Sequence, residues 1–145
     1  LKYFDGQLEE AIKHSLDDEC EQLLASCQPE LERTIHCYKK YDLYQATLIL
    51  KQILDQLNTF FHHRTPWLIS KGQDSQHVKN TCFVVSNILR QVVLSYAPIT
   101  PKLSDSVLAE FGIDTSECLL RSSIELSAIN ISQANSHFER IQLSN

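Results

Sequence analysis

The 145 residues, 43% hydrophobic and 21% charged, have the composition of one ordinary globular domain. Three glycines and four prolines exclude a collagenous or low-complexity chain and argue against a many-turned β-sandwich. No apolar run reaches the roughly 18 residues of a membrane span, and a net charge of −5 argues against a free-standing nucleic-acid binder.

The chain opens on Leu1 without a targeting pattern and holds no Met, so a piece of a longer polypeptide is expected. Charge is unevenly spread. Residues 1–32 carry Lys2 and Lys13 against nine acids, whereas residues 62–79 carry Arg64, Lys71 and Lys79 against Asp74 alone, together with His62, His63 and His77. A polyanion would therefore approach the middle of the chain. Among the cysteines (Cys20, Cys27, Cys37, Cys82 and Cys118) no C-x-x-C pair exists, so no zinc or redox motif is present. Cys20, Cys27 and Cys82 fall on apolar stripes and read as small buried hydrophobes in a reducing compartment.

The periodicity is helical nearly throughout. Leu16, Cys20, Leu23, Leu24 and Cys27 form one face, with Asp17, Asp18 and Glu19 in its first turn, where negative charge suits the helix dipole. Pro29 is expected to open a further short helix bearing Leu31, Ile35 and Tyr38. Leu43, Ala46, Leu50, Ile53, Leu57 and Phe60 predict a helix over 42–63, with Asp42 as N-cap. Val78, Cys82, Val85, Leu89, Val92 and Tyr96 predict another over 74–97, stopped by Pro98. Leu103, Val107, Leu108 and Phe111 make a last helix that ends on Gly112. Residues 113–145 read as a loop-rich tail lying along the bundle. The fold class is all-α: an antiparallel helical bundle forming a single domain over residues 1–145.

No G-x-G-x-x-G, G-x-x-x-x-G-K-[ST], G-x-S-x-G or H-E-x-x-H sequence occurs. His62 and His63 point about 100° apart on a helix and do not clamp one metal. The acidic run Asp17–Glu21 lacks the ligand rhythm of an EF-hand. No catalytic centre or metal site is therefore expected. What remains is Trp67, the single tryptophan, in the one basic stretch. Chemistry alone leaves two readings open: a core indole, or a platform on which an unpaired base stacks while Arg64 and Lys71 meet phosphates.

Four stretches in order carry a resemblance. Asn58-Thr59-Phe60-Phe61-His62-His63-Arg64-Thr65-Pro66-Trp67 resembles the Asn…Pro-Trp segment of the anticodon-binding domain of methionyl-tRNA synthetases, and Lys71 matches the lysine-bearing turn after it. Tyr96-Ala97-Pro98-Ile99-Thr100-Pro101-Lys102-Leu103 is similar to that family's Leu-x-Pro-x-x-Pro passage. Tyr3-Phe4-Asp5-Gly6 is similar to its Arg-Phe-x-Gly corner, and Phe138-Glu139-Arg140-Ile141 to its terminal Leu-Phe-x-Arg-Ile. Residues 8–32 match the family poorly.

The resemblance implies an anticodon-recognition module of a methionine–tRNA ligase, a class I synthetase, that binds the CAU anticodon loop of methionine tRNA. Trp67 would stack on the first anticodon base, Pro66 would set the loop, and Arg64 and Lys71 would complete the nucleic-acid-binding set. The upstream catalytic domain of the same polypeptide, which uses ATP, and the first bundle helix would lie outside this chain. No cofactor, DNA or membrane partner is implied. The ending shortly after Ile141 points to the short organellar type, hence the mitochondrial matrix, with the cytoplasm as alternative. The competing function is a helical protein–protein interaction or scaffold bundle that uses the 43–60 and 78–96 stripes to dock other helices.

Overall fold

A computed structural model describes residues 7–64, 75–113 and 123–131. Four helices, α1 (Asp18–Lys39), α2 (Leu43–Arg64), α3 (Ser75–Tyr96) and α4 (Pro101–Glu110), are joined by a 3-10 segment at Glu10–Ser15 and a two-residue antiparallel pairing of β1 (Gln7–Leu8) with β2 (Ile129–Asn130). The expected all-α bundle is present.

Helix α1 begins where Asp17 accepts a hydrogen bond from the Cys20 amide at 3.1 Å, a side-chain N-cap backed by Asp18, Glu19 and Glu21 in the first turn. It then runs through Pro29 without a break, where the sequence predicted two shorter helices. Pro29 and Ala25, whose carbonyl loses its amide partner to the proline ring, both lie on the exposed face, where water replaces the lost bond. Leu23, Cys27, Leu31 and Thr34 stay buried on the inner face and hold the two halves in one line.

At its far end α1 closes with the Tyr41 amide donating to the Tyr38 carbonyl and the Asp42 amide to the Cys37 carbonyl, both at 3.0 Å. This places Tyr41 at φ 59, a left-handed position usually held by glycine. Asp42 caps α2 as predicted, accepting from the Gln45 amide at 3.0 Å. Both long helices predicted from the apolar stripes form within one residue or so of the expected bounds.

Long-range contacts fix the directions. Arg64 at the end of α2 meets Asp17 and Glu19 at the start of α1 and Thr81 in the first turns of α3, so α2 runs antiparallel to both. The Tyr38 hydroxyl donates to the Ser95 carbonyl at 2.6 Å, joining the C-terminal ends of α1 and α3. Leu31, Leu50, Ile53, Phe83, Val84, Ile88 and Val92 fill the space between the three helices. The stripes that a scaffold protein would use for docking are thus largely occupied by one another. Helix α4 packs on α3, opens with Pro101 in its first turn and ends, as its sequence predicts, with Gly112 at φ 70.

The described part of the tail lies along the bundle, also as expected. Asn87, fully buried in α3, donates to the Ser127 carbonyl at 3.2 Å and accepts from the Ser127 amide at 3.1 Å, so that one side-chain amide serves the backbone as a neighbouring strand would. The Ile124 amide donates to Gln28 in α1 at 3.0 Å. Ile129, 2% exposed, closes the core beside Leu8. The pairing of these two ends was not predicted.

Replacing Asn87 strands both backbone groups of Ser127. Asn87→Ala is expected to lower stability by about 2 kcal/mol in a urea melt and to speed amide exchange at Ser127. Tyr44→Ala, at a position 71% exposed, is expected to change stability by less than about 0.5 kcal/mol.

Candidate nucleic-acid interface

One end of the bundle gathers the start of α1, the end of α2 and the start of α3. The chain leaves α2 at Arg64 and enters α3 at Ser75, so the basic stretch departs from and returns to this end. Trp67, Pro66 and Lys71, predicted as binding residues, lie outside the described residues. The opposite end, with the α1–α2 turn, is about 33 Å away at 1.5 Å per residue of α2.

Arg64 is placed differently from its sequence-based role as a phosphate contact. Its side chain is only 4% exposed. The guanidinium reaches Asp17 Oδ2 at 2.5 Å and Glu19 Oε2 at 2.6 Å, and Nε donates to Thr81 Oγ1 at 3.1 Å. It also lies 5.4 Å from the centroid of the Phe60 ring. A buried cation with two carboxylates and a hydroxyl on its donors has its charge answered within the protein, and it does not face a polyanion. The correction has a simple physical cause. Arg64 falls on the inward side of α2, in step with Phe60 and Leu57, and an arginine buried there needs carboxylates to remain charged.

The same contacts perturb the neighbouring groups. Burial opposes ionisation of Asp17, but hydrogen bonds from Arg64 and the Cys20 amide outweigh it and bring its carboxyl down to about 2. Burial first, and then the adjacent Asp17, push the Cys20 thiol up to about 12. Burial likewise takes Cys27 to about 11. Cys20, Cys27 and Cys82 are buried free thiols, as expected, and such raised thiols are poor nucleophiles. Among the described residues no group of His, Cys, Asp and Glu is placed to hold a metal ion.

Around this cluster the surface mixes polar and apolar groups. His62 and His63 are exposed on the last turn of α2, and His77 and Lys79 are partly exposed on the first turns of α3. An open groove of about 670 Å³ between α1 and α2 is lined by Gln22, Gln56, Thr59, Phe60 and His63, among others. Gln76 and Asn80 tie α3 to the 3-10 segment through Ser15, with Asn80 donating to the Ser15 carbonyl at 2.8 Å. The helix ends that frame the basic stretch are therefore fixed by a side-chain network. Sequence reasoning assigned the acids of α1 to the helix dipole alone and missed Asp17, Glu19 and Thr81 as partners of Arg64. Asp17 lies 47 positions from Arg64 and no local pattern links them.

Because the Asp17 carboxyl is held below its ordinary 3.8, its contribution to stability is complete above about pH 4 and is lost as the pH falls through about 2. Asp17 is one-third exposed, and solvent screening reduces the effect to about 1 kcal/mol. Stability of the native chain minus that of Asp17→Asn, from urea melts, should narrow over that window. Arg64→Met, which leaves two carboxylates facing an apolar replacement, should cost about 3 kcal/mol at pH 7.

No family model matches the chain. It is 29% identical over 114 residues to the methionine–tRNA ligase of Psychrobacter sp. (strain PRwf-1), which covers 78% of this chain and 16% of that protein. It is 31% identical over 91 residues to methionine–tRNA ligase 1 of Sorangium cellulosum (strain So ce56), covering 62% and 13%. The chain thus spans about one-sixth of the length of these relatives or less. In fold it is similar to the apo form of Mycobacterium tuberculosis methionyl-tRNA synthetase, with a TM-score of 0.78 and 19% identity over 89% of this chain and 27% of that one. Sequence similarity and fold agree with the family that the Pro66-Trp67 segment and its companion landmarks implied: the chain is similar in sequence to methionine–tRNA ligases and in fold to a methionyl-tRNA synthetase.

Proposed function

We propose that this chain is the tRNA-binding module of a methionine–tRNA ligase and that it reads the CAU anticodon at the bundle end framed by Arg64 and Ser75. The observation that carries the reading is the sequence similarity to methionine–tRNA ligases over 78% of the chain. Geometry supports it. The single tryptophan and Lys71 belong to the segment that begins and ends at this one end of the bundle. Lys79 and His77 stand beside it on α3.

In this reading Trp67 supplies an indole face for the first anticodon base, and Pro66 restricts the backbone leading to it. Lys71, together with Lys79, supplies charge to the phosphates. Arg64 takes no phosphate. The acidic start of α1 would repel RNA if left bare, and Arg64 neutralises part of it. The partners are methionine tRNA and a catalytic domain of the same polypeptide, which would carry the ATP-dependent chemistry.

The division of labour predicts two separable effects. Base stacking is worth about 1–3 kcal/mol, so Trp67→Ala should reduce discrimination for the CAU anticodon by about 5- to 150-fold, with a modest change in melting temperature. Lys71→Ala should weaken binding to all tRNAs alike and lower the salt slope by about one. The measurements are Kd values for methionine tRNA and for an anticodon-altered transcript across a salt series. A Trp67→Ala protein that prefers CAU as strongly as before would refute the reading.

A further inference from the structure

Arg64 is the last residue of α2, next in sequence to Thr65-Pro66-Trp67, and its guanidinium is held by elements remote in sequence. Asp17 is the N-cap of α1, Glu19 lies in the first turn of α1, and Thr81 lies in the second turn of α3. Asp17 joins three helices at once, accepting from the Cys20 amide, from Arg64 and, at 3.5 Å, from Asn80 of α3. Thr81 is itself fixed, donating to the His77 carbonyl at 2.8 Å, and Phe60 lies over the guanidinium one turn back on α2. The ends of the helices that emit and receive the 65–74 segment are thereby locked to each other and to α1.

We propose that Arg64 is a positioning residue for tRNA recognition: clamped by Asp17, Glu19 and Thr81, it fixes against α1 and α3 the end of α2 from which the chain continues towards Trp67. The proposal rests on the anticodon-reading function above. It also gives the acidic start of α1 a purpose, since Asp17 and Glu19 act on recognition through Arg64 without touching RNA. A guanidinium suits the place because its planar fork meets two carboxylates and a hydroxyl together, which one ammonium does not.

The single tryptophan allows the clamp to be tested apart from RNA. Trp67 emission and acrylamide quenching are measured on the full chain as native protein, Arg64→Met, Arg64→Lys and Asp17→Asn, below the melting transition of each variant as set by far-UV circular dichroism. Loss of the clamp should change the Trp67 quenching constant about twofold or more in all three variants, with helix content unchanged. Preference for the CAU anticodon should fall about tenfold, with the salt slope as in the native chain. Trp67→Ala added to Arg64→Met should reduce the preference little further. Folded variants with native Trp67 quenching and native CAU preference would overturn the proposal and leave Arg64 only a stabilising role. A flatter salt slope with unchanged quenching would overturn it in favour of a direct phosphate contact. Altered quenching in the variants, with a CAU preference insensitive to both Arg64→Met and Trp67→Ala, would support the clamp while refuting the anticodon reading. Arg64→Lys and Asp17→Asn keep the test decisive if Arg64→Met does not fold.

Discussion

A cation cannot be withdrawn from water without an answering charge, and the burial of Arg64 imposes that demand on three helices. Its two carboxylates come from the start of α1, its hydroxyl from α3, and it ends α2 itself. The antiparallel course of α2 against its two neighbours is written into this cluster. Hydrophobic contact alone accepts small slides of one helix along another. A forked guanidinium facing two carboxylates admits one register.

At the other limit of the bundle the constraints are weaker. Tyr41 takes a left-handed conformation while 91% exposed, and Leu43 and Tyr44 are exposed beside it. That turn is held by backbone bonds and the Asp42 cap. Polar order is dense around Arg64, Asn80 and Thr81. Farther along the bundle Asn87 is fully buried too, and its partners include the backbone of the tail. Side-chain amides and a guanidinium thus do the work of attachment wherever chain distant in sequence has to be held without a long strand or helix of its own.

How far the sequence reveals this molecule depends on the range of the interaction concerned. The stripes from Leu43 to Phe60 and from Val78 to Tyr96 predicted α2 and α3 closely, because burial of one helical face leaves a local period. Asp42 and Gly112 were legible for the same reason, each satisfying backbone groups within a few residues. Pro29 misled, because a proline is read as a helix start unless one knows that its outer side meets water and its inner neighbours are buried. The pairing of Leu8 with Ile129 left no local trace. At the candidate site, composition picks out residues 62–79 as the basic region of an acidic chain but assigns Arg64 outward, where the structure buries it. Whether an arginine at a helix end faces solvent or carboxylates depends on residues some 45 positions away, and no spacing rule reaches that far. The family landmarks were legible as a set because their order is a property of the whole chain.

In the proposed function, recognition depends on the face of the Trp67 indole. Titrating the full chain with an anticodon stem-loop bearing CAU, while following Trp67 emission, tests that claim most directly. Stacking predicts saturable quenching of the emission by the CAU stem-loop, and little change with a stem-loop in which the first anticodon base is removed. Emission that stays constant while the stem-loop binds, or quenching that is equal for both stem-loops, would contradict it.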